Sequence, residues 1–174
     1  MVERLYQLHH SLIGLNNRVG RGVSWLTLFM VLMTFAVAIL RYLFDLGWIV
    51  MQESVIYLHA MVFMLGAGYT LAQDGHVRVD IFFRGCSVRT KAIIDLFGVL
   101  FLLFPVTIFL FWFSWAYVAS SWAIMEGSRE AGGLDLVWLL KGVMLVMPVL
   151  LFLQGLASLL GNILIVTDNM PQQG

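Results

Sequence analysis

Charge is what this sequence has least of. Asp, Glu, Lys and Arg make up 11% of its 174 residues, under half of the roughly 25% usual in a soluble domain, which excludes an ordinary water-soluble enzyme domain. The ten basic residues cancel the ten acidic ones, so no net field gathers nucleic acid. Cysteine occurs once, at Cys86. One thiol builds neither a disulfide framework nor a Cys-rich metal site, and Cys86 reads as apolar filler. Convergent carboxylates, a nucleophile with its base and a phosphate-binding glycine loop are also missing, so the chain reads as a non-enzyme with no cofactor of its own. No ten-residue segments of alternating polarity occur, which argues against a transmembrane barrel.

What the sequence has is apolar length. It is 61% hydrophobic, with a mean hydropathy of +0.92. Four runs carry no Asp, Glu, Lys or Arg: Gly22–Leu40, Ser54–Gln73, Leu96–Met125 and Gly142–Thr167. A helix rises 1.5 Å per residue and the hydrocarbon core is roughly 30 Å thick, so about 20 apolar residues suffice to cross it. The expected fold is therefore an all-α integral membrane protein, one membrane domain over 1–174, with spans at about 22–42, 50–73, 92–125 and 139–166. Arg18 and Arg21 precede a full-length first run without a small-residue cleavage pattern, so that run reads as a retained span rather than a signal peptide.

Seven Lys and Arg residues (Arg4, Arg18, Arg21, Arg78, Arg84, Arg89, Lys91) fall on one side of these spans and three (Arg41, Arg129, Lys141) on the other. The positive-inside rule then places both termini in the cytoplasm. Ahead of the first span, Leu5, Leu8, Leu12, Leu15 and Val19 recur at spacings of three and four, which predicts an amphipathic interfacial helix over 3–19. Asn16 interrupts that stripe, and Gly20 and Gly22 permit a bend into the membrane.

Polar residues near or inside the spans are the candidate structural or interface positions. Arg41 ends the first span and Glu53 opens the second, a few residues after Trp48, so opposite charges meet at one interface and can pair. Each also has an ordinary explanation alone: Arg snorkels from a helix end, and Glu suits a helix N-terminus. Gln52 and His59 share a face of the second span, and His59 is expected to make an interhelical hydrogen bond. Haem ligation by two imidazoles needs a second embedded histidine, and His9, His10 and His76 lie outside the expected spans. Gly66, Ala67, Gly68, Ala116, Ser120, Gly155, Ala157 and Gly161 are small enough for close helix contacts. Pro105 and Pro148 each remove a backbone donor and favour kinks.

Three segments are distinctive together: Gly66-Ala67-Gly68-Tyr69-Thr70-Leu71-Ala72-Gln73-Asp74-Gly75-His76-Val77-Arg78-Val79-Asp80; Arg41-Tyr42 with Trp48 and Glu53; and Glu126-Gly127-Ser128-Arg129-Glu130-Ala131-Gly132-Gly133-Leu134 ahead of Trp138 and Lys141. With them, residues 20 to 165 resemble the small membrane subunit of tripartite ATP-independent periplasmic (TRAP) transporters. Family members often carry two acidic residues after the Trp, whereas Glu53 here lies between Gln52 and Ser54.

The resemblance implies a bacterial inner-membrane protein that serves import of a small organic anion, usually a carboxylate. A periplasmic binding protein would deliver the anion, and a large elevator-type permease subunit would hold the substrate and sodium sites. This chain would then be a scaffold, with the permease, the binding protein and lipid as partners. His76, Arg78 and Asp80 would sit at the cytoplasmic end of the second span, and Asp45, Glu126, Arg129, Glu130 and Asp135 would be placed to dock the binding protein. Two other classes fit the composition: a small proton-coupled homodimeric exporter using Glu53, and a respiratory-complex membrane anchor.

Overall fold

The computed structural model describes residues 2–75 and 85–167. Among them there are only helices and connections: α1 (Val2–Phe44), α2 (Ile49–Ala72), α3 (Val88–Gly98), a π-helical turn (Val99–Leu103), α4 (Phe104–Ala123) and α5 (Val137–Val166). Four helical stretches are long and apolar enough to cross a membrane: α1, α2, α3 through α4, and α5.

The break before Phe104 follows from Pro105, which has no N–H to offer the Phe101 carbonyl and crowds it. The helix answers by widening one turn, so that the Phe104 N–H reaches back five residues to the Val99 carbonyl. The Thr107 hydroxyl donates to the Leu103 and Phe104 carbonyls at 2.9 and 3.0 Å. α5 instead passes through Pro148 as one helix. α3 starts at Ser87, whose hydroxyl caps the Thr90 N–H at 3.2 Å.

α1 corrects the expectation for the N-terminus. No separate interfacial helix is present, and nothing breaks at Gly20 or Gly22: Val2–Phe44 is one helix of 43 residues, about 65 Å long at 1.5 Å per residue. Leu8 and Leu15 of the expected stripe are 55% and 42% exposed. The face that packs is a neighbouring one, His9, Ile13, Asn16 and Gly20, the last lying under the Tyr69 ring of α2.

α5 is the central helix, touching α1, α2, α3 and α4. It buries Leu150, Gln154, Ala157, Gly161 and Leu164 along one side, positions three or four residues apart, as a helical face requires. Gly155 meets Leu103 and Phe104, and Gly161 meets His9, so small residues do set these approaches. Ala116 and Ser120 of α4 are exposed, contrary to the packing role expected of them.

Candidate functional site

Polar contacts gather at the two ends of the bundle. At one end the connection 124–136 folds over the start of α2. The Glu53 carboxylate, in the second turn of α2, accepts the Ser128 hydroxyl at 2.5 Å and the Leu134 N–H at 2.6 Å. The loop closes on itself as well: the Ser128 N–H donates to the Leu134 carbonyl at 3.1 Å, the Glu130 N–H to Ser128 Oγ at 3.1 Å, and the Gly133 N–H to the Glu130 carbonyl at 3.0 Å. Gly133 is glycine for lack of room, since a Cβ there would lie 2.6 Å from Ser128 Cβ and 2.7 Å from Glu53 Oε2. Gly132 takes φ of +80°, a conformation glycine adopts freely.

Beside this clasp, Lys141 of α5 forms an ion pair with Glu126 and lies 4.1 Å over the Tyr117 ring of α4. The Lys141 ammonium holds the Glu126 carboxyl below its ordinary value of 4.5. Trp122 and Trp138 meet edge to face at 4.9 Å, an arrangement that suits the ring quadrupoles. The α4–α5 corner is thus fixed by charge and aromatic packing together.

The expected Arg41–Glu53 pair does not form. Glu53 is satisfied by Ser128 and Leu134, and Arg41 is exposed at the end of α1. Trp48 flanks α2 and is 55% exposed. The His59 side chain is exposed and makes no hydrogen bond among the described residues, where the expected interhelical bond is therefore absent. Asp45, Arg129, Glu130 and Asp135 are exposed at the same end as the clasp, whereas Glu126 is half-buried and engaged by Lys141. His76, Arg78 and Asp80 lie outside the described residues.

At the opposite end, α1 is stitched to α5 and α2. Asn16, fully buried, donates from Nδ2 to Gln154 Oε1 at 3.0 Å. The His9 Nδ1–H donates to the Ala157 carbonyl at 2.8 Å, and Gln73 Nε2 to Asn17 Oδ1 at 3.0 Å. His9, Asp74, Asp95, Gln154 and Asn162 line a cavity of about 560 Å³ there. Gln154 is not singled out by sequence, Asn16 stands out only as a break in the apolar stripe, and His9 only as lying outside the expected spans. The available signals were Asn16 inside an apolar stripe and Gln154 inside a charge-free run.

Among the described residues neither end brings together a nucleophile and a base, and the hydrogen bonds there serve to fix connections. Glu53→Gln is expected to loosen the clasp, because an amide offers one acceptor oxygen and turns an N–H₂ toward a donor. Tryptic cleavage after Arg129 in detergent should speed up several-fold in that variant and stay unchanged in Arg41→Ala. Equal rates in Glu53→Gln and the parent would mean the clasp does not hold the loop.

The family model for tripartite ATP-independent periplasmic transporters, DctQ component, matches residues 30–164. That stretch begins within α1 and takes in α2, α3 and α4 whole and nearly all of α5. His9 and Asn16 precede it. No curated protein and no solved structure matches the chain.

Proposed function

This chain belongs to the DctQ family of tripartite ATP-independent periplasmic transporter components, and on that footing we propose that it is the small membrane subunit of a sodium-coupled importer of a small organic anion, a carboxylate in the first instance. A periplasmic binding protein delivers the anion, and the large permease subunit carries it and the sodium ions. The small subunit supplies fixed surface.

The observation that carries the scaffold role is how little of its own apolar surface the chain covers. Of the residues in the most apolar stretch of each span, 6% are buried in α1, 11% in α2, 11% in α3 through α4, and 33% in α5. Four helices around one central helix leave wide faces for lipid and for a partner, and an elevator needs such a platform while another domain slides. At one end, Asp45, Arg129, Glu130 and Asp135 present exposed charges of both signs to the binding protein. His76, Arg78 and Asp80, at the opposite end of α2 in sequence, would meet the permease or the aqueous phase.

The seven-to-three bias of Lys and Arg orients the chain in the inner membrane with both ends cytoplasmic. The fold is compatible with this, since the clasp joins the start of α2 to the third connection at one end while His9 and Ala157 join α1 and α5 at the other.

Co-expressed with its permease, the chain should copurify with it in mild detergent. In a Cys86→Ser background in sealed cells, an impermeant maleimide should label Gly132→Cys and spare Asn17→Cys and Gly85→Cys. A chain that purifies alone, or ready labelling at position 85, would overturn the subunit assignment or the orientation respectively.

A further inference from the structure

A membrane-spanning helix satisfies its own backbone, but a hydrogen-bonding side chain at mid-depth needs a partner in protein or stands unsolvated in hydrocarbon. Most hydroxyls on these helices solve the problem locally. Thr34 donates to the Met30 carbonyl at 2.8 Å, Ser54 to Val50 at 2.7 Å and Ser120 to Tyr117 at 2.9 Å. An imidazole and a long carboxamide do not fold back onto their own helix in this way, and α2 carries one of each.

Gln52, Ile56, His59 and Phe63 follow one another at spacings of four, three and four residues, which makes one line along a helix. All four are exposed, Ile56 at 59% and Phe63 at 73%. The other side of α2 is the packed one, with Tyr57 and Gly68 buried. His59 lies ten residues past Ile49, a rise of about 15 Å and so about half of a ~30 Å core. Among the described residues neither the His59 nor the Gln52 side chain makes a hydrogen bond; the Gln52 backbone N–H reaches the Trp48 carbonyl at 3.3 Å.

The contrast is α4, whose outward face includes Phe109 at 55% exposure, Trp112 at 77% and Phe113 at 67%. Hydrocarbon solvates the Phe109 and Phe113 rings of that face without penalty. It does not solvate His59.

We propose that the Gln52–Ile56–His59–Phe63 face of α2 is the seam against the large permease subunit, occupied by one of its transmembrane helices that presents hydrogen-bonding side chains to His59 and Gln52. The proposal rests on the subunit assignment above and adds to it which face is covered. Ile56 and Phe63 supply apolar contact between the two polar anchors, and His59 sets the register.

The test uses the co-expressed complex with a photoreactive p-benzoylphenylalanine placed in turn at Ile56, Phe63 and Phe113. Irradiation should give an adduct of this chain with the permease from positions 56 and 63 and not from 113. His59→Leu should weaken copurification by about 3- to 20-fold, the worth of an interhelical hydrogen bond, and His59→Gln should recover part of it. Gel filtration of the His59→Leu chain by itself should match the parent, which separates lost contact from lost folding.

If the parent complex forms but permease adducts arise only at 113, or positions 56 and 63 capture only lipid or a second copy of this chain, the seam is wrong and the subunit assignment stands. If His59→Leu copurifies undiminished, His59 is not the anchor and the proposal fails. If the parent forms no complex, the subunit assignment fails and the seam falls with it.

Discussion

Reconstituted alone into sealed liposomes, this chain is expected to move no solute above the leak of empty vesicles, under either a sodium or a proton gradient. A coupled carrier holds its ions and substrate near the bilayer midplane, on discontinuous helices whose freed carbonyls bind cations and whose N-termini face anions. α1, α2 and α5 run through their apolar stretches unbroken. Among the described residues the irregular stretch in a span, Val99–Leu103, keeps its turn closed through the Phe104 N–H. Glu53, which directly precedes the second charge-free run, is held by Ser128 and Leu134, which suits a fastening better than a proton carrier.

Adding the permease and a binding protein should switch on uptake, and that uptake should need an inward sodium gradient. In the complete system Glu53→Gln should alter complex yield or maximal rate and leave the number of sodium ions per substrate unchanged. Proton-driven flux from the chain alone, abolished by Glu53→Gln, would replace the scaffold with an exporter.

The second large effect is expected at Gly68, where α1, α2 and α5 meet. A Cβ there would stand 2.6 Å from Asn16 Oδ1, 3.2 Å from Leu150 Cβ and 3.3 Å from the Leu150 carbonyl oxygen. The carbonyl belongs to a helix and cannot swing away, and the Asn16 amide cannot turn without giving up Gln154. Gly68→Ala therefore forces helices apart, and overpacking of this kind costs about 1 to 3 kcal/mol.

Gly66→Ala, two residues away, is the control. Its Cβ would lie 3.7 Å from Val23 Cγ1, an ordinary contact, and alanine suits a helix better than glycine. Unfolding by SDS in mixed micelles, followed by tryptophan fluorescence, should show Gly68→Ala destabilised and Gly66→Ala level with the parent or above it. Equal losses at both positions would mean that close approach at Gly68 does not hold the three helices together.

These effects were unequally legible in the residues. Four charge-free runs announce four crossing helices because a bilayer imposes one length and one polarity on any segment that spans it. Pro105 announces a disturbed turn because a missing N–H acts locally. The partner of Glu53 was not legible. Arg41 is 12 positions away and of opposite charge, whereas the groups that hold Glu53 lie 75 and 81 positions away, one of them a backbone N–H that no residue type reveals.

The same physics separates the two halves of α1. Its apolar half, Gly22–Leu40, is a membrane span by composition alone, since hydrophobicity is a property of the segment itself. Whether Val2–Arg21 lies on a surface or joins the bundle depends on what another segment offers it. The leucine stripe suggested a surface helix, but Gln154 and the Ala157 carbonyl of α5 give Asn16 and His9 their hydrogen bonds, and Gly20 lets the Tyr69 ring close in. Composition determined that this chain lives in a membrane and how many times it can cross; which polar groups meet, and which, like His59, are left facing outward, was decided only when the helices packed, because a hydrogen bond belongs to two partners and a sequence states them one at a time.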